Sequence, residues 1–395
     1  MTISLMRRID RFVGVPFCWA SGLAAMVFRR SAPASVDSIL VIKFFGLGSI
    51  LLAAPALRRM RLQFPNARIV FLTFSANAEI VDELPFLDER WFVDPSSLGS
   101  FVRSFSMLLA RLIRTKIDVV VDLEFFSKFS TFVGSVARPA KHIGFALPTR
   151  WRSWNITDAV PLRSDRHVSE TFLSTLSPLG IGSEEPLVPR IHFENSTSPS
   201  FLPIENMALT REIICVNPNA GVTSLERRWD GDRFAQVIDI MRSENPTALF
   251  CLIGSATERK YVDGVRQAIP NNVHDTLNLA GLLTLREIIQ LFSLSRLLIT
   301  NDSGPMHVAA AVGLPTVALF GPESPDFYGP LGNRTINLYA GLRCSPCLNV
   351  YDAKVFKCLI GGQCMKEISV GQVVEASRFL LEELNQHRDL VEVLH

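Results

Sequence analysis

Two doubly wound α/β domains facing a central cleft are the fold this sequence predicts, and three observations predict it. Strand-length apolar runs alternate with helix-length amphipathic runs in two separate series. A polar stretch rich in Ser and Pro parts the two series. A chain of 395 residues is long enough for two ordinary domains, each with its own core. The 48% hydrophobic share against 20% charged residues excludes a disordered chain. Lys and Arg exceed Asp and Glu by two, so overall charge carries no footprint for nucleic acid.

The first series opens with SILVIKFF (Ser38–Phe45), an apolar run broken only by Lys43, as a strand covered on both faces requires. GLGS turns the chain, and ILLAAPALRRMRLQF has helical spacing. ARIVFLTF, RWFVD and KIDVVVDLE are further strands, with helices at AEIVDEL and around Phe101–Arg114 between them. Around Thr149–Pro203 the rhythm fails and a linker is expected. The second series starts with EIICVNPNA (Glu212–Ala220) and runs through ALFCLIG, RLLITNDSG and LPTVALFG as strands with helices between. Gly371–Leu394 reads as a C-terminal helix, and such helices often cross back to the first domain in this fold class. The expected division is a segment at 1–35, a first domain at 36–200 and a second at 201–395.

The first thirty residues hold Arg7, Arg8, Arg11, Arg29 and Arg30 against the single acid Asp10. Phe12 to Phe28 carries no charge, yet it falls short of the roughly 20 residues of a membrane span and contains Pro16. Three readings fit: a segment lying on a membrane surface with its arginines on anionic head groups, a helix docked on the protein itself, or a signal peptide ahead of SAPAS. The flanking Arg29–Arg30 pair favours the membrane-surface anchor over export.

Three loops can carry chemistry. In GLGS, Gly46 and Gly48 permit a tight turn and close ligand approach where a strand ends and a helix begins. A dinucleotide fingerprint would need a third glycine where Leu51 stands and an acid after ARIVFLTF, so NAD chemistry is the weaker alternative. In TNDSGPMHVAAAVG, Asp302 or Ser303 would cap a helix, Gly304 leaves the backbone bare, and Pro305 suits the first turn. That helix end, with His307 one turn in, is suited to an anion. In NPNAGVTSLERRWDGDRF, Thr223 and Ser224 precede Arg227, Arg228 and Trp229, a cation beside hydroxyls that suits a departing diphosphate. DGD at Asp230–Asp232 reads as a helix cap and not as a metal motif.

These residues resemble a known family. GLGS with AAPALR, VTSLERRW and above all NDSGPMHVAAAVGLPTVALFGPESP look like the ADP-heptose heptosyltransferases of glycosyltransferase family 9. DLE at Asp122–Glu124, HIGF at His142–Phe145 and HVSE at His167–Glu170 fall where that family has similar elements. The resemblance runs from about Ser38 to Glu375. It implies a GT-B fold and an inverting transfer without a catalytic metal, from a nucleotide-sugar donor such as ADP-heptose to a lipopolysaccharide core or other lipid-linked glycan. It places the enzyme in the cytoplasm, at the inner membrane's surface. Carried over, Thr223, Ser224 and Arg227 hold donor phosphates, Asp302, Ser303, Gly304 and His307 line the diphosphate and sugar, and Glu258 meets the ribose. Ser49 stands where the family has its aspartate base. Since a serine cannot take the acceptor's proton unaided, either Glu124, a substrate phosphate, or nothing at all serves as base. The last case would leave a nucleotide-sugar-binding protein.

Finally, Cys344, Cys347, Cys358 and Cys364 fall within twenty-one residues, a spacing compatible with a structural four-thiolate zinc or iron–sulfur site. Cysteines recur here in the family, which leaves reduced thiols or disulfides as the other reading.

Overall fold

Among the described residues, six strands before residue 162 and six after residue 212 form two separate sheets, all of whose neighbours are parallel. The structure is a computed structural model that describes residues 3–28, 31, 35–146, 152, 154–163, 165–182, 201–221, 225–270, 275–332, 334–348 and 358–393. The chain divides into two compact units, Met1–Leu187 and Val188–His395. The expected boundary at residue 200 and the one between 187 and 188 both fall in 183–200, outside the described residues.

In the first unit, helix α1 (Ile3–Phe28) precedes β1 (Ser38–Ile42), α2 (Leu47–Gln63), β2 (Arg68–Phe74), α3 (Ala78–Asp82), β3 (Glu89–Val93) and α4 (Leu98–Arg114). Then come β4 (Val119–Asp122), α5 (Lys128–Val136), β5 (Lys141–Ala146), β6 (Asp158–Pro161) and α6 (Val168–Ser174). The strand order is β3-β2-β1-β4-β5-β6, the dinucleotide-binding arrangement, with its switch point between β1 and β4. Strands β1 and β4 are buried along their whole length, which is why they read as unbroken apolar runs. Helices start where the sequence supplies caps: Ser97 accepts from Ser100 N at the head of α4, and Ser127 accepts from Ser130 N at the head of α5.

The second unit contains α7 (Leu202–Ala208), β7 (Ile213–Asn217), α8 (Gly231–Glu244), β8 (Leu249–Leu252), α9 (Arg259–Gln267), β9 (Thr276–Asn278) and α10 (Leu285–Leu294). It continues with β10 (Ser295–Asn301), α11 (Gly304–Val312), β11 (Thr316–Phe320), α12 (Pro325–Tyr328), β12 (Thr335–Tyr339), α13 (Gln363–Lys366) and α14 (Val370–Val393). Its order β9-β8-β7-β10-β11-β12 repeats that of the first sheet, with the switch point between β7 and β10. The first half of α14 packs within the second unit: Val373, Val374, Ala376 and Leu380 go into its core with Trp229, Phe234 and Ile299.

Four strands went unread in the sequence: β5, inside the first sheet, and β6, β9 and β12 at sheet edges. An edge strand pairs on one side only and here buries few side chains, so no apolar run announces it. The segment 1–35 is not separate, because α1 packs on α5 within the first unit.

Candidate functional site

The first switch point is built around a buried ion pair. Lys43, at the end of β1, lies 2.9 Å from Glu124, and both are about 3% exposed. Glu124 Oε1 also accepts the backbone N–H groups of Phe44 and Phe45, at 2.7 and 2.9 Å. Lys43 Nζ donates in addition to the Phe45 carbonyl at 2.7 Å, while Asn77 Nδ2 donates to the Phe44 carbonyl at 2.9 Å. The backbone of Phe44 and Phe45 is thus held by four hydrogen bonds, and the turn that follows is presented in one conformation.

Gly46 caps α2 at φ 85°, a left-handed value that a Cβ would strain, and a Cβ there would also meet Ser49 Oγ at 3.0 Å. Gly48 is buried and Ser49 half-buried in the first turn of the helix. Ser49 therefore sits partly exposed in the first turn, beside Gly46. Glu124, the alternative base expected from the sequence, has Oε1 committed to these three donors and so anchors the turn.

Two residues upstream, Asp122 is fully buried and accepts from Arg152 Nη2 at 2.7 Å, from Ser130 and Thr131 hydroxyls, and from Glu124 N. Burial pushes its carboxyl above the ordinary value, with the Arg152 guanidinium pulling the other way. His142 is buried in β5, and His167 caps α6 by accepting from Ser169 N at 3.2 Å. DLE, HIGF and HVSE thus build the first unit from within.

The second switch point brings Arg227 and Asp302 together, as the sequence reading expected. Arg227 Nη1 donates to the Asp302 carbonyl at 3.1 Å and to its carboxylate at 3.3 Å, and Nη2 donates to the Ala220 carbonyl at 2.8 Å. One guanidinium therefore ties the loop after β7 to the loop after β10. Ser303 occupies the cap position of α11 but makes no side-chain cap; its hydroxyl donates to the Asn301 carbonyl and accepts from Asn217 Nδ2 at 2.8 Å. Neither Asp302 nor Ser303 caps the helix by its side chain, so the first turn, from Gly304, keeps its positive end open to an anion. His307 is buried one turn in.

Beneath this lies a set of asparagines that the sequence reading passed over. Asn301 accepts from Trp229 N and donates to the Pro218 and Asn219 carbonyls, while Asn219 donates to Asn217 Oδ1 and to the Ile253 carbonyl. Asn219 Oδ1 and Arg227 Nε are buried with no hydrogen-bond partner among the described residues. An asparagine closing a buried strand, as in ICVN and LLITN, was the available signal.

Of the other donor-side residues, Thr223 and Ser224 lie outside the described residues. Arg228 stacks over the Tyr261 ring at 4.0 Å, and Trp229 is core, donating to the Ile368 carbonyl. Glu258 closes a capping box with Ser255 ahead of α9, which occupies one of its carboxylate oxygens. Asp230 caps α8, as expected for DGD.

The four-thiolate metal expectation does not fit. Among the described residues no group of three or more His, Cys, Asp or Glu could hold a metal ion. The thiols are neighbours with different surroundings: Cys344 is exposed, Cys364 is buried near Gly321, and Cys358 Sγ accepts from Gly362 N at 3.1 Å. All four are free thiols.

Two parallel sheets of dinucleotide-binding order, each with a polar turn at its own switch point, define the GT-B class of nucleotide-sugar enzymes. The sequence profile of glycosyltransferase family 9 (heptosyltransferase) matches residues 107–355, more than half of the chain. The chain belongs to that family and is a glycosyltransferase. It is 25% identical over 308 residues to lipooligosaccharide heptosyltransferase 2 of Haemophilus influenzae, covering 75% of this chain and 87% of the relative. Its fold is similar to a family 9 glycosyltransferase of Veillonella parvula, with TM-score 0.71 and 24% identity over 90% of this chain and 99% of the other. It is likewise similar to the ADP-heptose lipopolysaccharide heptosyltransferase II of E. coli, with TM-score 0.66 and 20% identity over 88% and 99% of the two chains.

Proposed function

We propose that this glycosyltransferase moves a heptose, or a closely related sugar, from a nucleoside-diphosphate donor such as ADP-heptose to a lipopolysaccharide core or other lipid-linked glycan. The reading rests above all on Arg227, which bridges Ala220 and Asp302 beside the uncapped start of α11. As the sugar–phosphate bond breaks, charge grows on the departing diphosphate, and a guanidinium with a positive helix end opposes it. No step calls for a metal. The heptosyltransferases among the relatives support the sugar, and the name of the E. coli enzyme, an ADP-heptose lipopolysaccharide heptosyltransferase, supports the donor.

The acceptor hydroxyl attacks C1 from the face opposite the diphosphate, and its proton must leave. With Ser49 at the turn and Glu124 bound to Lys43, Phe44 and Phe45, the hydroxyl of Ser49 orients the acceptor and an acidic group of the acceptor takes the proton. The same two residues favour one second reading, a protein that binds the nucleotide sugar without transferring it.

Purified protein, ADP-heptose and a truncated lipopolysaccharide acceptor separate the two. Wild type, Ser49→Ala and Asp302→Ala are assayed for ADP release, with donor binding by calorimetry. Turnover with donor binding lost in Asp302→Ala supports the transferase. Binding without turnover favours the second reading, and no donor binding in wild type defeats the assignment.

A further inference from the structure

Helix α1 is bolted down along one side only. Asp10, the one acid in its first turns, accepts the N–H groups of Lys128 and Phe129 and so covers the head of α5. Burial raises its carboxyl above the ordinary value, the N–H of Phe129 and the Lys128 charge opposing this. One and two turns on, Gly14 lies against Lys128, where a Cβ would come within 2.6 Å, and Cys18 is buried with its thiol on the Lys128 carbonyl. Further along, Ser21 bonds with Asn155, and Gly22 meets Trp154 and Asn155. These positions recur at three- and four-residue spacing and form one face.

The opposite face is apolar and bare. Phe12, Trp19, Leu23 and Met26 are 74%, 53%, 60% and 53% exposed, and no charged residue interrupts Phe12–Phe28. On a water-facing helix this side would carry Lys and Glu. The apolar surface continues across the unit: Phe17 packs edge-on against Phe132 of α5 at 5.4 Å, and Phe132 lies 6.4 Å from Phe105 of α4. Exposed Val102 and Ile113 of α4 lie beyond, beside exposed Arg103 and Arg114.

We propose that this face of α1 is a docking surface for an anionic lipid bilayer, on which the helix lies in the plane of the head groups. Among the described residues no helix is long and apolar enough to cross a membrane. Charge selects lipid over a second copy of the chain. Arg7, Arg8 and Arg11 stand at one end of the apolar stretch and Arg29 and Arg30 at the other, with Asp10 committed to α5. Two such helices laid antiparallel would set arginine against arginine, whereas anionic head groups neutralise both ends. Trp19 supplies the amphipathic ring favoured at a lipid–water boundary.

The test is co-sedimentation of the full chain, without donor or acceptor, with phosphatidylcholine vesicles and with vesicles containing about 30% phosphatidylglycerol. Binding to the anionic vesicles should be roughly tenfold tighter or more, weaken with salt, and fall by about tenfold in Trp19→Ser/Leu23→Ser. Unchanged thermal unfolding of the double variant, whose altered side chains are exposed, separates lost docking from lost folding. Absence of binding, equal binding to both vesicles, or binding unaffected by the double variant overturns the proposal. Light scattering that finds a dimer abolished by the same variant, with no vesicle binding, assigns the face to a second copy instead.

Discussion

A serine at the mouth of the first turn and a carboxylate held beneath it invert the arrangement that acid–base catalysis asks for. Ser49 is half-buried at the start of α2, while Glu124 is bound by Lys43 and two backbone amides. Restoring a carboxylate at the open position should therefore help: Ser49→Asp is expected to raise kcat for heptosyl transfer by roughly tenfold to a hundredfold. The pH–rate profile should gain an ascending limb in the ordinary carboxylate range, about pH 4 to 5. An unchanged or lower rate would place proton removal elsewhere. Glu124→Gln removes the partner of a buried ammonium and should lower stability by about 3 kcal/mol. That loss is to be read in denaturant melts, with the pH–rate profile keeping its shape if Glu124 holds the turn and is not the base. The acid at the end of β4 was visible in the sequence. Its partner lies 81 positions away, and only the pairing of β1 with β4 brings the two together, so the role was not legible from either strand alone.

Among elements, the long apolar runs buried on both faces were legible, while interior β5 and the edge strands β6, β9 and β12 were not. SILVI and VVVD announced β1 and β4, whereas β9 has three residues and β12 no buried one. The cysteine-bearing segment between β12 and α14 shows a similar limit. Spacing suggested a shared metal, but spacing does not say which thiols point into the core. The Cys347 thiol is pushed up to about 11, first by burial and then by the neighbouring Cys364, Cys344 and Cys358 thiols. At pH 8 it would be about 0.1% thiolate, so alkylation by iodoacetamide should mark exposed Cys344 well before Cys347. Because the thiolate is the reactive form, labelling of Cys347 should keep accelerating as pH rises towards 11. Mass spectrometry of the labelled peptides reads both effects. Protection of all four thiols in freshly purified protein, lifted by a chelator, would restore the metal.

At the scale of the whole molecule, the same strand order occurs twice, and each copy ends in a differently furnished turn. The first sheet's switch point carries a glycine turn, a hydroxyl and a buried ion pair; the second carries a guanidinium, asparagines and an open helix end. The alternation of strands and helices made the duplication readable. The division of chemistry was readable in part, because DSGPMH and the arginine loop were visible while Asn217, Asn219 and Asn301 gained meaning only when β7 and β10 were seen side by side. If donor chemistry belongs to the second unit, ADP should slow amide exchange in the loops after β7 and β10 and in the first turn of α11. The amides of Phe44 to Ser49 should be unaffected. At about a hundred times its Kd, ADP should stabilise those loops by roughly 2.7 kcal/mol, a change that exchange mass spectrometry resolves. Arg227→Ala should abolish the protection without altering exchange in β1 or β4, since the guanidinium's partners all lie in the second unit. Protection centred on Gly46–Ser49 instead would move the nucleotide to the first unit and return that turn to the dinucleotide-binding role its glycines suggest.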